Sequence, residues 1–157
     1  MTEGREDTNQ GSEIIVTRSA EETQQFGASL AGRLGPGDCV GLDGDLGAGK
    51  TCLVQGVCAG FGVEGPVTSP TFVLINEYAG TGGDGRALTI FHFDLYRLGG
   101  VDELIDLGCD DYFYGDGVCL IEWAAYGGEV LPETTLRIQL CAIDETSRRL
   151  TLSGGRV

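Results

Sequence analysis

Positive charge is scarce in this chain. Ten lysines and arginines stand against 24 aspartates and glutamates, a formal net charge of −14. Tight binding to a phosphodiester backbone needs clustered basic side chains, so the balance argues against direct, high-affinity contact with nucleic acid. If the protein serves RNA or DNA biology, a partner holds the polynucleotide, and an acidic surface suits a basic patch on that partner. Metal-binding clusters are also missing. There is one histidine, and the six cysteines (39, 52, 58, 109, 119, 141) contain no C-x-x-C pair, so no zinc site is expected. Four of the six lie in apolar or helical segments, where a reduced thiol behaves as a small hydrophobe, which points to the reducing cytosol. No apolar run approaches the roughly 18 residues of a membrane span. The N-terminus lacks a signal peptide's apolar stretch, so the chain is expected to be soluble and cytoplasmic.

The only lysine, Lys50, sits inside Gly44-Asp45-Leu46-Gly47-Ala48-Gly49-Lys50-Thr51. This is a complete G-x-x-x-x-G-K-[ST] phosphate-binding loop. Glycines at 44, 47 and 49 allow the backbone to curl until successive N–H groups face an anion. The helix that follows adds the positive end of its dipole. Lys50 is then placed to reach the terminal phosphates of a nucleotide, and the Thr51 hydroxyl to ligate Mg²⁺. The surrounding sequence agrees: Cys39 to Leu42 reads as a buried strand entering the loop, and Thr51 to Phe61 as a helix leaving it. GTP specificity of the N-K-x-D kind needs a second lysine, which this chain does not have, so ATP is favoured. No basic cluster offers a phosphate site for a second substrate, which disfavours a small-molecule kinase.

At 157 residues and 41% hydrophobic, the chain is long and apolar enough for one core. Residues 1–12 are polar and aperiodic and read as a disordered tail, 13–153 as a single domain, and 154–157 as a short C-terminal tail. Glu13 to Thr17 is expected to be a short edge strand. Ser19-Ala20-Glu21-Glu22 has capping-box spacing and opens a helix to about Leu34, with Phe26, Leu30 and Leu34 on its apolar face. Phe72 to Tyr78 and Leu88 to Phe93 read as paired strands around a glycine-rich turn, Ala79 to Arg86. A short helix is expected over Asp102 to Leu107. Val118 to Ile121 reads as a strand buried on both faces. Thr135 to Ala142 and Arg149 to Leu152 read as a closing hairpin.

A phosphate loop by itself only binds. Hydrolysis also needs the metal held from its far side and a positioned nucleophile. Such a carboxylate belongs at the carboxyl end of a buried strand beside the loop's own strand. Glu122, after four apolar residues, matches best. Asp94, after Ile90-Phe91-His92-Phe93, matches less well because His92 interrupts the apolar pattern. One of the two would ligate Mg²⁺ and the other would act through water; these residues alone do not say which. The alternative for each is a turn cap or an ion pair, such as Asp94 with Arg97. Thr68, Ser69 and Thr71 make a hydroxyl-rich loop where related proteins sense a γ-phosphate. His92 reads first as a packed, hydrogen-bonded strand residue.

The phosphate loop, Ser69-Pro70-Thr71-Phe72, His92-Phe93-Asp94-Leu95-Tyr96-Arg97-Leu98 and Ile121-Glu122-Trp123 occur in an order that closely resembles the TsaE (YjeE) family. The resemblance runs from about Ser19 to Arg149. It implies a P-loop NTPase-like α/β domain of three layers, with a mixed parallel and antiparallel sheet flanked by helices. It also implies a weak, Mg²⁺-dependent ATPase working with TsaD and TsaB in threonylcarbamoylation of adenosine 37 of tRNAs that read codons beginning with adenine. In this reading tRNA is reached through those partners. Carried over residue by residue, Asp45, Leu46, Gly47, Ala48, Gly49 and Lys50 cradle phosphate, and Thr51 and Glu122 ligate Mg²⁺. Asp94 lies near the γ-phosphate, Thr71 falls in a switch-like loop, and Ser19, Glu21 and Thr23 belong to the stretch near adenine. Lys50, Asp94 and Glu122 form the catalytic set. Two positions depart from the family pattern: Cys52 replaces a second Ser or Thr, and Gln55 replaces an arginine. A nucleotide-gated assembly factor, in which hydrolysis is incidental, is the competing reading.

Overall fold

A computed structural model describes residues 6–7, 12–70 and 74–155. The strands are β1 (Glu6–Asp7), β2 (Glu13–Thr17), β3 (Cys39–Asp43), β4 (Ile75–Thr81), β5 (Ala87–Asp94), β6 (Val118–Glu122), β7 (Leu136–Ala142) and β8 (Arg148–Gly154). They form one sheet in the order β1-β2-β8-β7-β3-β6-β5-β4. Its centre, β7-β3-β6-β5, is parallel, and both flanks are antiparallel. The helices are α1 (Ala20–Ala31), α2 (Lys50–Gly60), α3 (Val101–Asp106) and α4 (Cys109–Phe113), with a 3-10 segment over Ala124–Val130. This is the mixed sheet flanked by helices that the sequence implied.

Alternation along the central strands builds two cores. Val40, Leu42, Val118 and Leu120 join Leu30, Leu53, Val54 and Val57 of α1 and α2 on one face. Cys39, Cys119 and Ile121 join Leu104, Phe113 and Leu131 on the other. Three layers result because parallel strands buried on both sides need cover on both sides. The Cys39 and Cys119 thiols donate to the carbonyls of Phe113 and Tyr112, satisfying the last turn of α4. Burial alone pushes the Cys58 thiol up to about 12, leaving it an inert core group.

Ser19 caps α1, accepting from the Glu22 N–H at 3.0 Å, while Glu22 accepts from the Arg18 N–H at 2.9 Å. A cap of this kind contributes about 1 kcal/mol. The face of α1 that meets the core is centred on Thr23, Gly27, Leu30 and Ala31, and Phe26 is only half-buried. The shift has a steric cause. The backbones of α1 and α2 approach so closely that a Cβ on Gly27 would lie 2.7 Å from the Leu53 carbonyl oxygen.

Other boundaries moved too. Glu6–Asp7 pair with Asp7↔Glu13 and Glu6↔Ile14, so this part of the expected tail is a strand, and β2 has neighbours on both sides. The first strand of the glycine-rich hairpin continues to Thr81, which pairs with Ala87, so the turn is shorter than expected. β8 continues to Gly154, one residue into the expected C-terminal tail. Thr71 and the opening residues of the expected Phe72 to Tyr78 strand lie outside the described residues. Among those described, no helix is long and apolar enough to cross a membrane.

Candidate functional site

The phosphate loop joins β3 to α2. Gly44, Gly47 and Gly49 have φ of +152°, +81° and +104°. All three lie in the region that side chains other than glycine rarely adopt, as the proposed curl of the loop requires. Lys50 begins α2 and is folded back onto the loop. Its Nζ donates to the carbonyls of Gly44 (2.5 Å) and Asp45 (3.0 Å) and lies 4.0 Å from the centre of the Trp123 ring. Burial lowers the affinity of this amine for its proton. The carboxylates of Glu122, Asp43, Asp94 and Asp45 pull in the opposite direction. Ala48 is buried in the loop, whereas Leu46 projects into solvent at 72% exposure.

The sheet brings the two strand-end carboxylates to this loop. β6 lies between β3 and β5, with Leu42 opposite Glu122 and Asp94 opposite Glu122. Thr51 Oγ1 donates to both Glu122 oxygens, at 3.0 and 3.1 Å. A hydroxyl and a carboxylate at that separation are hard oxygen donors that suit Mg²⁺, which keeps several of its waters and takes few protein ligands. Asp94 accepts from Ser69 Oγ at 2.6 Å and from the Tyr96 N–H at 3.0 Å. It therefore ties the hydroxyl-rich loop to the end of β5, and it also caps the turn, the alternative that its sequence position left open.

Two residues whose sequence context favoured a packing role over a site role are also part of the site. His92 is fully buried, and its Nε2 lies 2.5 Å from Glu122 Oε2. Its Nδ1 has no hydrogen-bond partner among the described residues. The signal was the alternation Ile90, His92, Asp94, which puts the imidazole on the carboxylate face of the sheet. Trp123 has φ 58° and is the only non-glycine residue with positive φ among those described. The cost of this backbone, about 1–2 kcal/mol, is offset by its N–H donating to Leu42 O at 2.8 Å. Its ring also packs against Tyr96 and Tyr126, with centroids 4.8 and 5.7 Å away.

Beside the start of α2 lies a cavity of about 310 Å³. Its lining comes from the N-terminal end of α1 (Ser19, Glu21, Thr23), the start of α2 (Gly49, Cys52) and the β7–β8 connection (Glu145, Thr146, Arg148). Thr23 is held by a 2.7 Å hydrogen bond to Thr17. Thus the stretch assigned to adenine lines a cavity that adjoins the phosphate loop. The β7–β8 turn beside it was legible in the sequence only as the turn of a closing hairpin around Asp144 and Glu145, not as part of a site. Cys52 donates to Ala20 O at 3.4 Å. Gln55 accepts from Gln24 and donates to Val67 O, both at 3.0 Å, linking α1 to the loop before Thr68.

Residues 17–150 match the family model described as threonylcarbamoyl adenosine biosynthesis protein TsaE. The chain belongs to the TsaE family. The tRNA threonylcarbamoyladenosine biosynthesis protein TsaE of Treponema pallidum is 39% identical over 138 residues, 88% of this chain and 98% of that protein. The Bacillus subtilis protein of the same name is 42% identical over 137 residues, 87% of this chain and 82% of its relative. The crystal structure of YdiB from Bacillus subtilis superposes with a TM-score of 0.74 at 38% identity, covering 91% of this chain and 85% of that one. TsaE membership therefore spans the phosphate loop, both strand-end carboxylates and the cavity.

Proposed function

We propose that this protein is a Mg²⁺-dependent ATPase of the cytoplasm that serves threonylcarbamoylation of adenosine 37 in tRNA, acting through TsaD and TsaB homologues. The observation that carries the reading is the convergence of the Lys50–Thr51 loop with Glu122 and Asp94 at three neighbouring strand ends. The family's printed description supplies the pathway. A net charge of −14 supports reaching tRNA through partners.

On nucleotide entry, Lys50 leaves the carbonyls of Gly44 and Asp45 for the β- and γ-phosphates. The loop N–H groups that face inward bind the phosphate oxygens. Thr51 and Glu122 would hold Mg²⁺, which when bound neutralises charge on those oxygens. Asp94, tied to Ser69, orients the attacking water. Trp123 covers the lysine side of the site and excludes bulk water.

The test is ATP hydrolysis by the protein alone and with TsaD and TsaB, in parallel with Lys50→Ala. Weak turnover that rises with the partners and falls to background in the variant is expected. A loss of about 10²–10³ is the scale for removing one charge-stabilising donor. Partner-independent turnover with normal ATP binding would favour the nucleotide-gated assembly factor. Asp94→Asn, which removes the water-orienting carboxylate and leaves the Thr51–Glu122 pair in place, then separates the two: tRNA modification fails if hydrolysis drives it and survives if binding suffices.

A further inference from the structure

The loop that brings Ser69 to Asp94 is held at three successive residues by three different elements. Gln55 of α2 donates to Val67 O at 3.0 Å, and Ser69 donates to Asp94 at the end of β5. Between them, the main chain of Thr68 is bound from β4. The Tyr78 hydroxyl accepts from the Thr68 N–H at 3.3 Å and donates to the Thr68 carbonyl at 3.2 Å. Asn76 Nδ2 donates to the same carbonyl at 3.1 Å and to the Tyr78 hydroxyl at 3.4 Å. These contacts use the one proton of that hydroxyl and its accepting capacity, so it is fully committed to the loop.

The sheet sets where this hydroxyl lies. Asn76 and Tyr78 stand two apart on one face of β4, with His92 opposite Asn76 and Ile90 opposite Tyr78. The Tyr78 ring packs against the core shared with α1 and α2, its centroid 6.4 Å from that of His92. The bonds to Thr68 are open to solvent, so water can replace them at small cost to the fold. What water cannot supply is a fixed place for Thr68, one residue from the Ser69 hydroxyl. We infer that Tyr78 is a positioning residue for hydrolysis: by clamping the Thr68 main chain it holds Ser69 against Asp94, and so sets where Asp94 places the attacking water. The inference deepens the ATPase reading above and rests on it. Among the described residues, no hydrogen bond of the Tyr78 hydroxyl reaches the phosphate loop, Thr51 or Glu122, so nucleotide binding does not depend on the clamp.

Steady-state ATP hydrolysis with the TsaD and TsaB homologues, together with calorimetric Mg–ATP binding, tests this on the wild type, Tyr78→Phe, Ser69→Ala and the double variant. Each single variant should lose about tenfold in kcat, the scale of one hydrogen bond carried into the transition state. Mg–ATP affinity should stay within about twofold, which also certifies an intact fold. The double variant should be no more than about twofold slower than Ser69→Ala, because both changes break one line of contact. Losses that multiply would overturn the inference and leave Tyr78 a packing residue. An unchanged kcat in Tyr78→Phe, or a loss of Mg–ATP affinity that matches the loss in kcat, would overturn it as well. Faster hydrolysis in both single variants would do the same, by making the Ser69 contact a latch on Asp94. A wild type that binds Mg–ATP but hydrolyses none with its partners would remove the ATPase reading itself, and this inference with it.

Discussion

Glu122 is shared by two donors in this structure, the Thr51 hydroxyl and the His92 imidazole. The two are not equivalent. To ligate a metal, Thr51 would have to turn an oxygen lone pair toward it, so the direction of its O–H would change when the metal arrives. His92, fully buried in β5, has no such competing task and keeps Glu122 Oε2 in place. An outer partner of this kind commonly contributes ten- to a hundredfold to metal affinity or activity, on the order of 1.4–2.8 kcal/mol. His92→Ala should therefore raise the Mg²⁺ concentration needed for half-maximal nucleotide binding by about tenfold, while metal-free nucleotide binding changes little. His92→Gln, which retains an N–H donor near the same position, should recover much of that loss. Titration of nucleotide binding with Mg²⁺ would show it; equal behaviour of the alanine and glutamine variants would reduce His92 to a packing residue.

At the scale of elements, the placement of α2 depends on its seat against α1. A Cβ on Gly56 would collide with the Gln24 carbonyl oxygen, and one on Gly60 would lie 2.6 Å from the Ala28 carbonyl oxygen. Both obstacles are backbone, so neither can move aside as a side chain would. Gly56→Ala should destabilise the fold by about 1–3 kcal/mol or more despite alanine's better helix propensity. It should also weaken nucleotide binding, because displacing α2 displaces Lys50 and Thr51 at its start. Chemical denaturation and ATP titration of the same variant check both halves of the claim. What the sequence revealed at this scale follows from locality. The phosphate loop, the buried β6 and the strand-end Glu122 are contiguous patterns, and they were legible. The close approach of Gly27 to Leu53 was not, since nothing near Gly27 says that another helix will arrive there. α4 and the 3-10 segment escaped notice because five to seven residues carry too little periodicity. The contacts of Arg148 with the phosphate loop and of His92 with Glu122 were not legible for a topological reason. The partners, Gly47 and Glu122, are 101 and 30 positions away, and only the strand order brings them together.

The whole molecule poses an electrostatic problem that its site must solve. Under the proposed function, a protein of net charge −14 would bind a polyanion at a loop where one lysine faces Asp43, Asp45, Asp94 and Glu122. The loop dipoles and Lys50 favour phosphate, but the nearby carboxylates oppose it at separations too short for salt to screen fully. A divalent cation reverses the balance, since it is attracted by the same carboxylates that repel the nucleotide. Metal and nucleotide should consequently bind with strong positive linkage. With Mg–ATP at about a hundred times its dissociation constant, the folded state gains about 2.7 kcal/mol. For a domain of this size that corresponds to a rise in melting temperature of roughly 5–10 °C. With a chelator present, the same ATP concentration should shift the melting temperature by less than about 2 °C, and Glu122→Gln should reduce the Mg–ATP shift toward that value. Thermal melts with ATP, Mg–ATP and ATP plus chelator make the comparison directly. A full shift without metal would mean that the loop dipoles and Lys50 overcome the carboxylate field unaided, and the Thr51–Glu122 pair would lose its claim to be the metal site.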